Sequence, residues 1–189
     1  MIPIYIWGNQ HCLENQKFEE VVTKQVSKQK RFQSPVFHLK RDQCLSHKFI
    51  KTLKRLITKT KDSPQVHVII LGNVELRKGK TIYEIIHRFS LINELSLINP
   101  SAFFVISALI LEEKIDDKEL KGNCLFINSA LHQNFIKNSQ ITFVNTDNKL
   151  EPESFNTPST LNKIGEIQLA QMITKAVYSI PNEKLKWSK

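Results

Sequence analysis

The sequence lacks most features that assign a chain quickly, and each absence excludes something. Its three cysteines, Cys12, Cys44 and Cys124, are an odd number at wide spacing, which argues against a disulfide framework and for a reducing compartment. No run of about 18 apolar residues is present to span a bilayer. The opening MIPIYIWGNQ lacks the charged start and long apolar stretch of a secretory signal. The chain therefore reads as soluble and cytoplasmic, with no membrane partner. Internal repeats, linkers, low-complexity tracts and RNP, KH or zinc-knuckle signatures are all missing. Cys44 lies three residues from His47 and His11 adjoins Cys12, but no second Cys-x-x-Cys or His-x-x-x-His accompanies them, so neither a metal nor a cofactor is expected.

Acidic residues are scarce in one half only. Residues 1–80 carry 16 Lys+Arg against 6 Asp+Glu, whereas residues 81–189 carry 11 against 12. A basic half joined to a neutral half suggests a surface that faces a polyanion, or else a lysine-rich solvated face.

With 189 residues and 41% hydrophobic content, the chain can bury one substantial core. The expected organisation is a single domain over residues 1–180 and a basic tail over 181–189. Residues 3–8 (PIYIWG) read as a strand entering a loop. From residue 14 to about 31, Phe18, Val21, Val22 and Val26 recur at helical spacing with lysines opposite. Residues 35–39 (PVFHL) form a second strand candidate, and residues 46–61 a helix whose buried stripe is Phe49, Leu53, Leu56 and Ile57. Residues 66–72 (VHVIILG) and 101–110 (SAFFVISALI) are too continuously apolar for a strand with one wet face, so both belong mid-sheet. Between them, residues 81–97 supply a helix long enough for a parallel crossover. Residues 120–135 (LKGNCLFINSALHQNF) read as a strand followed by a loop or short helix, residues 141–144 (ITFV) as a last strand, and 161–177 as a last helix. This alternation predicts an α/β fold: a three-layer, flavodoxin-like domain with a mostly parallel central sheet.

In such folds, sites lie beyond the carboxyl ends of the strands. Three segments fall there: Gly8-Asn9-Gln10; Leu71-Gly72-Asn73-Val74-Glu75-Leu76-Arg77; and Thr157-Pro158-Ser159-Thr160-Leu161-Asn162-Lys163-Ile164-Gly165. Their order and flanking residues resemble the SGNH (GDSL-type) hydrolase superfamily. That family carries Gly-Asp-Ser after its first strand, Gly-x-Asn-Asp after the central one, and Asp-x-x-His-Leu-Asn-x-x-Gly entering its last helix. The resemblance implies that Gln10 stands at the nucleophilic serine, Val74 at the oxyanion asparagine, Thr157 at the orienting aspartate and Thr160 at the basic histidine. The Leu-Asn-x-x-Gly frame is kept, and the family's second motif, a glycine after strand two, has no assigned counterpart. Acyl transfer needs an activated hydroxyl, a base and oxyanion donors. Glutamine at 10 is no nucleophile, threonine at 160 is no base near pH 7 and valine at 74 donates no hydrogen bond, so a pseudoenzyme is expected.

A degenerate SGNH domain with a basic half resembles the OSK domain of the insect germ-plasm protein Oskar, an RNA-binding module. That resemblance implies binding of single-stranded mRNA regions such as 3′ untranslated regions, possible germ-plasm protein partners, and residence in germ plasm or ribonucleoprotein granules. Candidate contacts are Lys48, Lys51, Lys54, Arg55 and Lys59 on one helix face; Lys28, Lys30, Arg31, Lys40 and Arg41 around the second strand; and Arg77, Lys78 and Lys80 on the central loop. Phe32 and Trp187 are candidates to stack on bases, Phe32 equally for the core. The alternatives are a hydrolase with an altered site, recruiting His11, Cys12 or His132, and a protein-interaction scaffold. Oligomeric state is left open.

Overall fold

The fold is given by a computed structural model that describes residues 1–9, 13, 16–40, 44–61, 63–111, 116–147, 149–157 and 160–185. Five parallel strands make the central sheet: β1 (Ile4–Asn9), β2 (Val36–Lys40), β3 (Gln65–Ile70), β4 (Ala102–Ser107) and β5 (Ile141–Val144), in the order β2-β1-β3-β4-β5. The helices between them are α1 (Lys17–Val26), α2 (His47–Lys59), α3 (Asn73–Arg77), α4 (Ile82–Ile98), α5 (Lys118–Phe135) and α6 (Lys163–Tyr178). A two-stranded hairpin, β6 (Phe155–Thr157) with β7 (Thr160–Leu161), precedes α6.

The strand period of two sorts the sheet's side chains into two cores. Ile4, Ile6, Val66, Val68, Phe103 and Val105 meet α1 and α6 through Phe18, Val22, Val26, Leu169, Ala170 and Ile173. The alternate residues Trp7, Ile69, Phe104 and Ile106 meet α2, α4 and α5 through Leu53, Ile57, Phe89, Ile92, Ile127 and Leu131. β3 and β4 are buried at every position, as their largely apolar runs predict. Each fully buried large side chain contributes about 1.5–3 kcal/mol, so the two faces together hold the layers.

Two polar residues of β3, Gln65 and His67, interrupt the second face. His67 is fully buried; its Nδ1 accepts from Trp7 Nε1 at 3.4 Å and its Nε2 lies 2.9 Å from Gln65 Oε1. The Trp7 bond assigns the neutral tautomer with hydrogen on Nε2. Burial, with a smaller push from His38, lowers the His67 pKa to about 3.

Two expectations need correction. Residues 118–135 form one 18-residue helix, α5, rather than a strand and a loop. The CLFI run suggested a strand, but Cys124, Ile127, Asn128, Leu131 and Phe135 bury a single helical face, and Asp117 caps the start by accepting from Leu120 N at 2.9 Å. The central loop is also partly helical: α3 begins directly at Asn73.

The chain remains packed past α6. Arg31 donates to the carbonyls of Tyr178 (3.0 Å) and Ile180 (3.1 Å) and to Asn182 Oδ1. Leu185, in a final 3-10 turn over Asn182–Leu185, is buried. At the other end of α6, Glu166 is fully buried and accepts from the backbone N–H of Lys17 (2.8 Å) and Phe18 (3.1 Å). It supplies the cap that α1 lacks locally, because Gln16 makes no side-chain capping bond.

Candidate functional site

Three segments converge at the carboxyl end of the sheet. β1 delivers Gly8 and the buried Asn9 there, next to β2 and β3. A Cβ on Gly8 would sit 2.8 Å from Leu39 Cδ2, so close strand packing explains that glycine. Gln10, His11 and Cys12, including the position matched to the nucleophile, lie outside the described residues.

β3 delivers Gly72, whose φ of 111° favours glycine and whose missing Cβ would lie 2.9 Å from Leu109 Cδ1. Asn73 follows and is bound at both ends of its amide. Its Oδ1 accepts from Ile110 N at 3.1 Å and its Nδ2 donates to Ile110 O. Asn128 of α5 repeats this grip one residue earlier: Oδ1 accepts from Leu109 N at 2.7 Å and Nδ2 donates to Leu109 O at 3.1 Å. The two asparagines fix the backbone leaving β4. Val74, which the sequence resemblance sets at the oxyanion asparagine, is half-buried and has no side-chain donor.

Glu75 is buried, and its Oε1 accepts from the backbone N–H of Leu45. Its Oε2 has no partner. Burial pushes its carboxyl above the usual range, partly opposed by its own N–H, that of Leu45, and the charges of Arg88 and Lys78. Arg88 donates to Leu45 O at 2.9 Å, so Leu45 is held from both sides.

The closing segment shows why Leu161-Asn162-Lys163-Ile164-Gly165 has its form. Asn162 caps α6, its Oδ1 accepting from Ile164 N at 2.9 Å and Gly165 N at 3.1 Å. A Cβ on Gly165 would lie 2.3 Å from the carbonyl oxygen of Ser154. Thr157 and Thr160 are paired across the β6–β7 hairpin, the first exposed and the second buried. Pro158 and Ser159 between them are outside the described residues.

Few other groups offer chemistry. Cys124 is buried, and burial together with Asp147 pushes its thiol up to about 12, which makes it inert at neutral pH. His132 is exposed on α5 with its ring 5.9 Å from Phe143. Among the described residues, no group of three or more His, Cys, Asp or Glu could hold a metal ion.

The basic residues fall into separate groups. Lys48, Lys51, Lys54, Arg55 and Lys59 are all exposed along α2, which contains no acidic residue, and the described ion pairs, Lys17–Glu20 and Lys80–Glu84, include none of them. Lys40 is exposed at the end of β2. With Lys48 it borders a cavity of about 310 Å³ walled by Trp7, His38 and Phe49. Arg77, the last residue of α3, and Lys78 after it are exposed, whereas Lys80 pairs with Glu84 at 3.2 Å. Lys28 and Lys30 are exposed at the opposite end of the sheet. There Arg31 is engaged with the end of α6, beside a hollow of about 650 Å³ remote from the starts of α3 and α6. Phe32 is buried and stacks on Tyr178 at 6.4 Å, so it belongs to the core. Arg41 and Trp187 lie outside the described residues. Sequence reading missed the wall of Trp7, His38 and Phe49; the alternation of rings on PIYIW and PVFHL was its only trace.

This architecture, a five-stranded parallel sheet between helical layers with three loops converging at its carboxyl end, is that of the SGNH/GDSL hydrolase-like fold. It superimposes on a putative GDSL-like lipase from Parabacteroides merdae with a TM-score of 0.74 at 11% identity, covering 94% of this chain and 95% of that one. A carbohydrate esterase of family 3 from Talaromyces cellulolyticus gives 0.72 at 12% identity, covering 95% and 98%. An Axe2 mutant, an acetyl-xylooligosaccharide esterase from Geobacillus, gives 0.74 at 9% identity, covering 93% and 94%. No family model matches the sequence, and no curated protein matches it. At these identities the likeness establishes the fold. Among the described residues, no helix is long and apolar enough to cross a membrane.

Proposed function

We propose that this chain is a non-catalytic domain on an SGNH-type scaffold that binds RNA through the flank formed by α2 and the end of β2. The observation that carries the reading is the solvent face of α2, where Lys48, Lys51, Lys54, Arg55 and Lys59 stand exposed on a helix without a carboxylate. Such a row follows a phosphate backbone and gains affinity by releasing counterions. Lys40 extends the row; Arg31 does not, because its guanidinium closes the end of α6. Arg77 and Lys78 provide a second, smaller cationic rim.

The absence of catalysis is part of the same proposal. Val74 has no donor, and the neighbouring Asn73 amide is engaged at both ends by Ile110. Threonine at 157 and 160 gives no base that titrates near pH 7, and Gln10 gives no nucleophile. The narrower form of the proposal is an OSK-type module, with germline mRNA and germ-plasm proteins as partners in cytoplasmic granules. It rests on the sequence resemblance.

Reversing Lys51, Lys54 and Arg55 together to glutamate tests the reading by anisotropy titration of a labelled single-stranded RNA. Affinity is expected to fall by tenfold or more. The slope of log K against log salt should shrink by about 2, at roughly 0.7 per phosphate contact for single strands. Unchanged affinity and slope would overturn it.

A second reading, a hydrolase with an altered site, is supported by the esterases and lipases that share the fold. It would need a nucleophile outside the replaced positions, Cys12, with His11 or His132 as base. Turnover of p-nitrophenyl acetate that vanishes in a Cys12→Ala variant would establish it.

A further inference from the structure

The aromatic rings on the α2 side of the sheet stand in a row across four strands. Phe104 of β4 stacks on His67 of β3 with centroids 5.5 Å apart, and His67 stacks on Tyr5 of β1 at 5.2 Å. Tyr5 lies 6.5 Å from His38 of β2, and Trp7, two residues further along β1, stacks on His38 at 4.2 Å. Register produces this alignment, since Tyr5 is opposite His67 and Trp7 opposite His38. The interplanar angles of these contacts run only from 13° to 24°. β2 is the edge strand, so among the described residues no strand continues the row past His38. The 310 Å³ cavity opens there, with Phe49 set edge-on to Trp7 at 5.6 Å to close its wall.

We propose that this cavity holds one unpaired nucleobase of a bound RNA, stacked on His38 as the next ring of the row, with its phosphate held by Lys40 and Lys48. The proposal depends on the RNA-binding reading for the polymer and on the cavity's own shape and charge for the base.

The cavity selects a guest of two parts. Its wall is flat and aromatic, which favours a planar ring over an alkyl chain. Among the described residues its rim carries two lysines and no carboxylate, which favours an anion attached to that ring. The first turn of the 13-residue α2 also borders the rim through Ser46 and Lys48, adding its dipole to the attraction for phosphate. Ser46 Oγ accepts from Phe49 N at 3.2 Å, which leaves its O–H able to donate to the guest's phosphate beside the lysines. Burial and the charge of Lys40 hold His38 below its ordinary value, so its ring is neutral at pH 7 and adds no charge to the rim. Stacking on such a platform is indifferent to base identity.

The test is an NMR titration of the full chain with AMP, and with ribose 5-phosphate and inorganic phosphate as probes lacking the base. AMP is expected to shift the Trp7 indole N–H and the His38 ring protons, and the two base-free probes to leave both rings unmoved. His38→Ala should weaken the AMP response by about tenfold, and His38→Phe should retain it. Equal shifts from AMP and ribose 5-phosphate, or no shift from either, would overturn the proposal. The fate of the base site is separable from that of the ridge. If reversal of the α2 cations abolishes oligonucleotide binding while AMP moves neither ring, the cavity is excluded and the ridge retained. If AMP shifts both rings but no oligonucleotide binds, the cavity stands as a nucleotide site and the RNA reading falls.

Discussion

The mouth of the sheet and the α2 flank lie on one domain and use polar residues in opposite ways. At the mouth, Asn73, Glu75 and Asn128 are engaged with backbone amides of neighbouring segments, and Asn162 with those of the helix it caps. On the flank, Lys48, Lys51, Lys54, Arg55 and Lys59 face solvent and form no ion pair among the described residues. The buried side chains of the mouth hold its loops in place. Polar groups at the mouth therefore contribute to stability; those on the flank are available to a partner.

Substitutions separate the two roles, beginning with the largest effect. Gly165→Ala forces a Cβ to within 2.3 Å of a backbone oxygen and should cost about 3 kcal/mol or more, read from the midpoint of urea unfolding. Asn73→Ala leaves the buried N–H and carbonyl of Ile110 without their partner and should cost about 2–3 kcal/mol in the same assay. Beneath both regions, His67 gives a pH dependence whose sign is fixed. Its pKa falls from an ordinary 6.5 in the unfolded chain to about 3 in the fold, so below pH 6.5 the unfolded state takes up a proton that the folded state refuses. Its share of stability is complete above pH 6.5 and is lost as pH falls toward 3, at up to about 1.4 kcal/mol per pH unit. The difference between wild-type and His67→Gln stability curves over that window should show this slope. The smallest effect belongs to the flank, where glutamate at Lys51, Lys54 and Arg55 should change stability by no more than about 0.5 kcal/mol. A large loss there would place the ridge in the architecture and erase the contrast with the mouth.

Much of this was legible in the sequence, for identifiable reasons. The runs that became β3 and β4 are buried on both faces, and only continuous apolarity satisfies that environment. α2 announced itself because its stripe and its cations segregate cleanly at helical spacing. The frame Leu161-Asn162-Lys163-Ile164-Gly165 was readable because its contacts are mostly local: a cap two and three residues on, and a glycine against Ser154. α5 was obscured by a run of four apolar residues of which Leu125 and Phe126 are exposed. The grip of Asn73 on Ile110 and of Glu75 on Leu45 could not be read, since each partner is a backbone amide 30 or more positions away. The His38 cavity depends on inter-strand register, which no local pattern encodes.

The carboxylate of Glu166 that closes the first turn of α1 has a bearing on how the domain is made. Lys17 and Glu166 are 149 positions apart, so on the ribosome α1 emerges long before the residue that completes it. Until α6 is released and docks, the start of α1 has neither this cap nor its main packing partner. Within this domain the first helix is thus completed by the last, and assembly of that face of the sheet waits for α6.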